Sequence, residues 1–170
     1  MAHDDDFELK PLSAGALEAA MEKMKRYRLF NEAQDAESIC RDILRVDPDY
    51  RDARVGLMLC LTDQFDQGLA GRMTEATEIA ESLTDEYDRL YYKGVICERR
   101  AKAHHKQPTP QSGCLAHSWL SKAMDWFEQA SACRPAGNDA SLLRWNTCAR
   151  MVMNHDDIRP AVEEESGPPD

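Results

Sequence analysis

The chain has 170 residues and a mass of 19.3 kDa, is 42% hydrophobic and 31% charged, and carries a formal charge of −10 at neutral pH. That length supports one well-buried core rather than two comfortable domains, unless the organisation is repetitive. No window approaches the roughly 18 uninterrupted apolar residues of a membrane span, and Met1 to Lys10 holds three aspartates where a secretory signal would carry lysine and an apolar run, so a cytoplasmic setting is expected.

The acidity is not evenly spread. Asp4, Asp5, Asp6 and Glu8 against Lys10 give the first ten residues −3, and Glu163, Glu164, Glu165 and Asp170 give the last ten −4, which leaves −3 for the body. Residues 1–12 and 155–170 therefore read as solvated, disordered acidic ends around a helical domain at 13–154. A body of that balance is a poor partner for a phosphate backbone, which disfavours nucleic acid.

Helical spacing recurs along the whole body. Leu17, Ala20, Met21 and Met24 form one apolar stripe of a first helix running from near Ser13 to about Phe30. Asn31 and Gln34 have the spacing of a capping box for a second helix, whose stripe is Ala36, Ile39, Cys40 and Ile43 and which stops at Asp47-Pro48. Asp49 is placed to cap a third, with Leu57, Cys60, Leu61 and Phe65 as its apolar set. After a looser stretch around Gly68 and Gly71, Ala76, Ile79, Ala80 and Leu83 give a fourth helix, and Tyr87, Leu90, Tyr91 and Gly94 a fifth that reaches about Ala103 with a basic end. The run His104 to Gly113 holds two prolines and reads as a loop. Leu120, Ala123, Met124 and Phe127 begin a sixth helix that ends before Pro135. Asn138 caps a seventh with Leu142, Trp145, Ala149 and Val152 on its apolar face. No strand pattern occurs, so the fold class is all-α with about seven helices.

One unit occurs twice. Ala36, Cys40, Ile43, Pro48 and Ala53 are matched at the same offsets by Ala123, Phe127, Ala130, Pro135 and Ala140: a small-residue ladder, a proline stop and a small residue opening the next helix. With Ala123-x3-Phe127 followed by Pro135, and Ala36-x3-Cys40 followed by Pro48, the chain resembles the tetratricopeptide repeat (TPR) family over about residues 14 to 153. The resemblance implies three degenerate repeats of antiparallel helix pairs in a right-handed superhelix, with residues 138–153 as the capping helix. The intervals Ala36 to Ala76 and Ala76 to Ala123 are 40 and 47 residues against a unit of about 34, and the extra length is expected at the Gly68 to Met73 bend and the His104 to Cys114 loop. The middle repeat has Tyr87-Asp88 where the family has its proline turn.

The same resemblance implies a function: the first helix of each pair lines a concave groove that holds a partner segment. The residues it would bring there are Met21, Lys25 and Arg28 of the first helix, Val55, Leu59 and Thr62 of the third, Tyr91, Val95, Glu98 and Arg99 of the fifth, and Asn146 with Arg150 of the cap. An apolar floor with a few cations suits a protein or peptide with apolar anchors and an acidic group. The positions of the family's carboxylate clamp hold Met21, Lys25, Gly56, Asp88 and Tyr92, so binding of chaperone tails is not expected. The tethered acidic tail, Glu163 to Glu165 and Asp170, faces a groove with Lys25, Arg28, Arg99 and Arg150 and can compete with a partner. The alternative reading is a self-associating structural or assembly-factor subunit that pairs through Trp119, Trp126 or Tyr92 as a homodimer.

No motif asks for catalysis. There is no glycine-rich phosphate loop, zinc-protease helix or Gly-x-Ser-x-Gly, and no cofactor is expected. His104, His105, Cys114 and His117 are four potential metal ligands, but the second pair at zinc spacing is missing and they read as an exposed polar loop. The six cysteines lie mostly on apolar helix faces and read as buried free thiols. Arg144 and Arg150 flank Trp145 and Cys148 in the last helix, where they can hold carboxylates or cover the tryptophan. Cys148 has no histidine within helical reach to act as its base.

Overall fold

A computed structural model of the chain describes residues 7–68 and 71–162, and the acidic stretches Asp4 to Asp6 and Glu163 to Asp170 lie outside them. Among the described residues the chain is all-α, with seven helices and no strand: α1 (Leu17–Leu29), α2 (Ala33–Val46), α3 (Arg51–Asp63), α4 (Arg72–Glu81), α5 (Glu86–Lys106), α6 (Ser112–Ala132) and α7 (Ala140–Asn154). Short 3₁₀ turns at Ala14–Ala16 and Phe65–Gln67 complete the element order. The chain forms two compact units, Met1–Leu61 and Thr62–Asp170.

In the first unit α1 packs on α2 through a three-residue turn. Asn31 is not a cap. It sits at φ 61°, and the Asn31 and Glu32 amides donate back to Arg28 O and Tyr27 O, which is a Schellman ending for α1. The short polar side chain of asparagine tolerates that left-handed backbone, which is why the residue resembles a cap in sequence. Met21, Met24, Ala36, Cys40 and Ile43 are buried, and α3 comes close enough that a Cβ on Gly56 would lie 2.6 Å from Met24 Cε and 3.1 Å from Cys40 Sγ. The turn into α3 is held by Asp47 Oδ1 accepting from the Asp49 amide.

In the second unit α4 packs on α5, α5 on α6 and α6 on α7. At the turn before Tyr87-Asp88, which holds no proline, Asp85 caps α5 by accepting from the Asp88 amide, and Arg89 donates to Leu83 O and Thr84 O across the turn. The extra length before Ala123 does not form a long loop. It extends α5 and α6 to 21 residues each, with His104 to Lys106 inside α5 and Gly113 inside α6. The two prolines fall in the short link, where Ser112 Oγ accepts from the Thr109 amide. The fully buried Phe127 ring lies against α5, since a Cβ on Gly94 would stand 2.5 Å from its Cε1.

α7 buries its apolar face in part, with Trp145, Ala149 and Val152 half-buried and Leu142 exposed. Ser141 and Cys148 are buried, whereas Leu142 and Leu143 are 37% and 66% exposed. The reason is polar pairing: Ser141 Oγ meets Ser131 Oγ at 2.8 Å, and Arg144 reaches into α5. Asn138 Oδ1 accepts from the Ala140 amide and Asp139 holds the cap position, so the turn begins one residue later than the sequence suggests. The ordered chain continues past α7. Ile158 is buried, its amide donates to His155 O, and the Asp157 carbonyl lies where a Cβ of Gly113 would be. Within the stretch from residue 155 read as tail, Ile158 is thus buried and His155 half-buried.

Candidate partner-binding site

Glu98 stands out because charge follows directly on the buried run Gly94 to Cys97 and is itself fully buried. A carboxylate in that position must be paired. Lys102, one helical turn on, pairs with Oε1. Arg144 of α7 donates through Nη1 to Oε2 at 3.1 Å and Oε1 at 3.3 Å, and its Nε lies 3.4 Å from the Tyr91 hydroxyl. Burial opposes the Arg144 charge, but the Glu98 carboxylate and then Tyr91 outweigh it and hold the guanidinium above its ordinary pKa. Tyr91 is fixed in turn by stacking on Tyr87, with centroids 5.6 Å apart, and by the Phe127 ring at 5.8 Å.

The contacts Tyr87 to Asn138, Glu98 to Arg144 and His105 to His155 advance together, so α7 runs parallel to α5. One buried carboxylate thereby orients two cations whose side chains are 31% and 36% exposed, and one positive charge is left over beside a tyrosine edge. Such a patch has the charge and the fixed geometry to accept a further carboxylate.

Cys148 lies next to this cluster. Burial, then the Glu98 charge, pushes its thiol up to about 12, and burial pushes Cys97 up to about 11. Both are protonated at neutral pH and are poor nucleophiles. Cys40, Cys60, Cys97 and Cys148 are buried, Cys114 is half-buried and Cys133 exposed, and all six are free.

The residues singled out in the sequence divide between the two units. In the first, Met21 and Val55 are buried, Leu59 is half-buried, Arg28 is half-exposed, and Lys25 pairs with Glu22 at 2.6 Å, whose hydrogen bond and charge raise its pKa. In the second, Val95 and Glu98 are buried, Arg99 pairs with Asp63 at 3.1 Å, and Asn146 and Arg150 are exposed on α7. Thr62 is also buried. Of the set, Tyr91 and Glu98 are joined, through Arg144. The buried members serve the core because their helix faces turn inward. Lys102 was missed as a site residue, although its spacing of four from Glu98 was a readable signal.

His104 and His105 end α5, while Cys114 and His117 lie in α6. His105 pairs instead with Asp157 at 3.4 Å and meets the His155 ring edge-on at 4.8 Å. Burial, then Arg100, lowers the His104 pKa. Among the described residues no group of three or more His, Cys, Asp or Glu side chains could hold a metal ion, and no helix is long and apolar enough to cross a membrane. The first unit also has an open cleft of about 360 Å³ between α1 and α2, edged by Lys23, Tyr27, Asp35 and Asp42. No family model, curated protein or solved structure matches the chain.

Proposed function

We propose that the chain is a protein-interaction module of TPR-like helix pairs, working in the cytoplasm, that binds a segment of a partner protein. The observation that carries this reading is the Glu98 cluster, in which a buried charge holds Arg144 and Lys102 at the surface beside Tyr91. The partner segment would bring an acidic group to Arg144 and an apolar side chain to the tyrosine edge. A binding role rather than catalysis suits the protonated state of Cys148 and Cys97, and the six free thiols suit a reducing compartment. The test is capture from cytoplasmic extract by the wild type and by a Tyr91→Phe/Arg144→Gln variant of equal helicity. A protein retained by the first and lost by the second supports the reading, and identical retained sets overturn it.

Self-association is a second reading, favoured by the exposure of Leu142, Leu143 and Met153 on α7. Trp119 and Trp126 offer it less, since cations lie over both rings. Sedimentation at two concentrations decides it: a concentration-dependent dimer that Leu143→Asp abolishes supports this reading, and a monomer at both excludes it.

A further inference from the structure

A different face of α5 carries a second arrangement. Where α5 meets α6, Lys93 lies over the Trp126 ring with Nζ 5.0 Å from its centroid. Seven residues along each helix, Arg100 lies over Trp119 at 6.0 Å, and Lys122 approaches the same ring at 4.5 Å. The pairs step in opposite directions along the two helices, as antiparallel packing requires, so three cations and two indoles form one strip. Only Lys93 has an acid, Glu81 at 3.3 Å. Among the described residues no acidic side chain pairs with Arg100 or Lys122, and burial lowers the Arg100 pKa with no acid to offset it. In a chain of charge −10, the two cations on one tryptophan make a local positive patch.

We propose that Lys93, Arg100 and Lys122, with Trp119 and Trp126, form a docking strip for an extended acidic segment of a partner protein. Charge complementarity supports it, and so does spacing. Seven helical residues between Lys93 and Arg100 rise about 10 Å, and an extended chain in the polyproline II form, with three residues per turn and a rise of about 3.1 Å each, returns a side chain to the same face after about 9 Å. The matching segment carries glutamate or aspartate at every third position, with the aliphatic parts of its side chains against the indole edges. Single-stranded nucleic acid fits less well, because the cations cover ring faces that bases would need for stacking and the acidic chain repels a polyanion. The strip uses none of the residues of the Arg144 cluster, so its failure leaves that reading intact.

The test uses the full chain and a fluorescein-labelled nonapeptide with glutamate at every third position among serine and threonine, followed by anisotropy at low salt. Saturable binding is expected, weakened about tenfold for the Arg100→Gln/Lys122→Gln variant and unchanged for Arg51→Gln, an exposed arginine elsewhere. In the wild type the peptide should also shift the Trp119 and Trp126 indole N–H resonances and leave that of Trp145 in place, a readout that does not depend on how the variant folds. No saturable binding, equal binding to the variant, or an unmoved Trp119 signal would overturn the proposal. So would tighter binding of oligothymidylate, or of a peptide copying residues 161–170 with its consecutive acids.

Discussion

The ends of α2 and α6 follow the same local rules with different contents. Each buries a ladder, Ala36, Cys40 and Ile43 in one and Ala123, Phe127 and Ala130 in the other, and each is followed by a proline. Each also meets a glycine on a neighbouring helix, Gly56 against Cys40 and Gly94 against Phe127. The difference lies in the helix that comes next. α3 buries an apolar set, Ala53, Leu57, Met58, Cys60 and Leu61, whereas α7 buries Ser141 and Cys148 and brings Arg144 onto Glu98. A repeated spacing thus sets where helices stop and approach. The residues that follow decide whether the contact is only packing or also presents charge.

Substitutions separate the two. Phe127→Ala should cost about 3 to 5 kcal/mol in denaturant unfolding, because a fully buried ring leaves a cavity, while Cys40→Ala, removing a single sulfur, should cost about 1. Arg144→Gln should cost about 2 kcal/mol: an unpaired buried charge is worse, but Lys102 remains on Glu98 and Arg144 is partly exposed. Lys25→Gln, which breaks only the exposed pair with Glu22, should leave unfolding unchanged.

Gly94→Ala should cost about 1 to 2 kcal/mol by pushing on a locked aromatic ring. Gly56→Ala should cost below about 1, since the Met24 methyl can move and alanine favours the helix. Equal costs would mean that the two junctions are packed alike.

Alkali gives a further contrast. The folded chain keeps Cys148 and Cys97 protonated up to about 12 and about 11, while a thiol in the unfolded chain ionises near pH 9. Stability is therefore full below about pH 9 and falls as pH rises towards 12, by up to about 1.4 kcal/mol per pH unit for each thiol. Thermal unfolding of the wild type and Cys148→Ala between pH 8 and about 11 should converge as the wild type loses this contribution. Parallel curves would contradict the burial of Cys148.

Most of the helix plan was legible, because it rests on spacing and proline stops that act within a few residues. The misjudged details each had a competing cause. Asn31 serves a left-handed turn and a cap equally well in sequence, and only the backbone φ separates them. His104 to Lys106 are helical because α5 has the length of α6 to pack on, which overrides the loop signal of the prolines beyond. The α7 contact is centred on its polar partners, Ser141 on Ser131 and Arg144 on Glu98, so that of its expected apolar set Trp145, Ala149 and Val152 are half-buried and Leu142 is exposed. Glu98 was legible as a groove residue only in name. Its pairing with Arg144 crosses 46 positions and leaves no local trace.

The most direct test of the central claim, that the Glu98 cluster presents Arg144 to a partner segment, is selection of random displayed peptides on the full chain and on Arg144→Gln in parallel. The account predicts enrichment on the wild type of peptides sharing an acidic residue and a nearby apolar anchor, and loss of that enrichment on the variant. Enrichment of the same peptides on both, or none on the wild type, would contradict it.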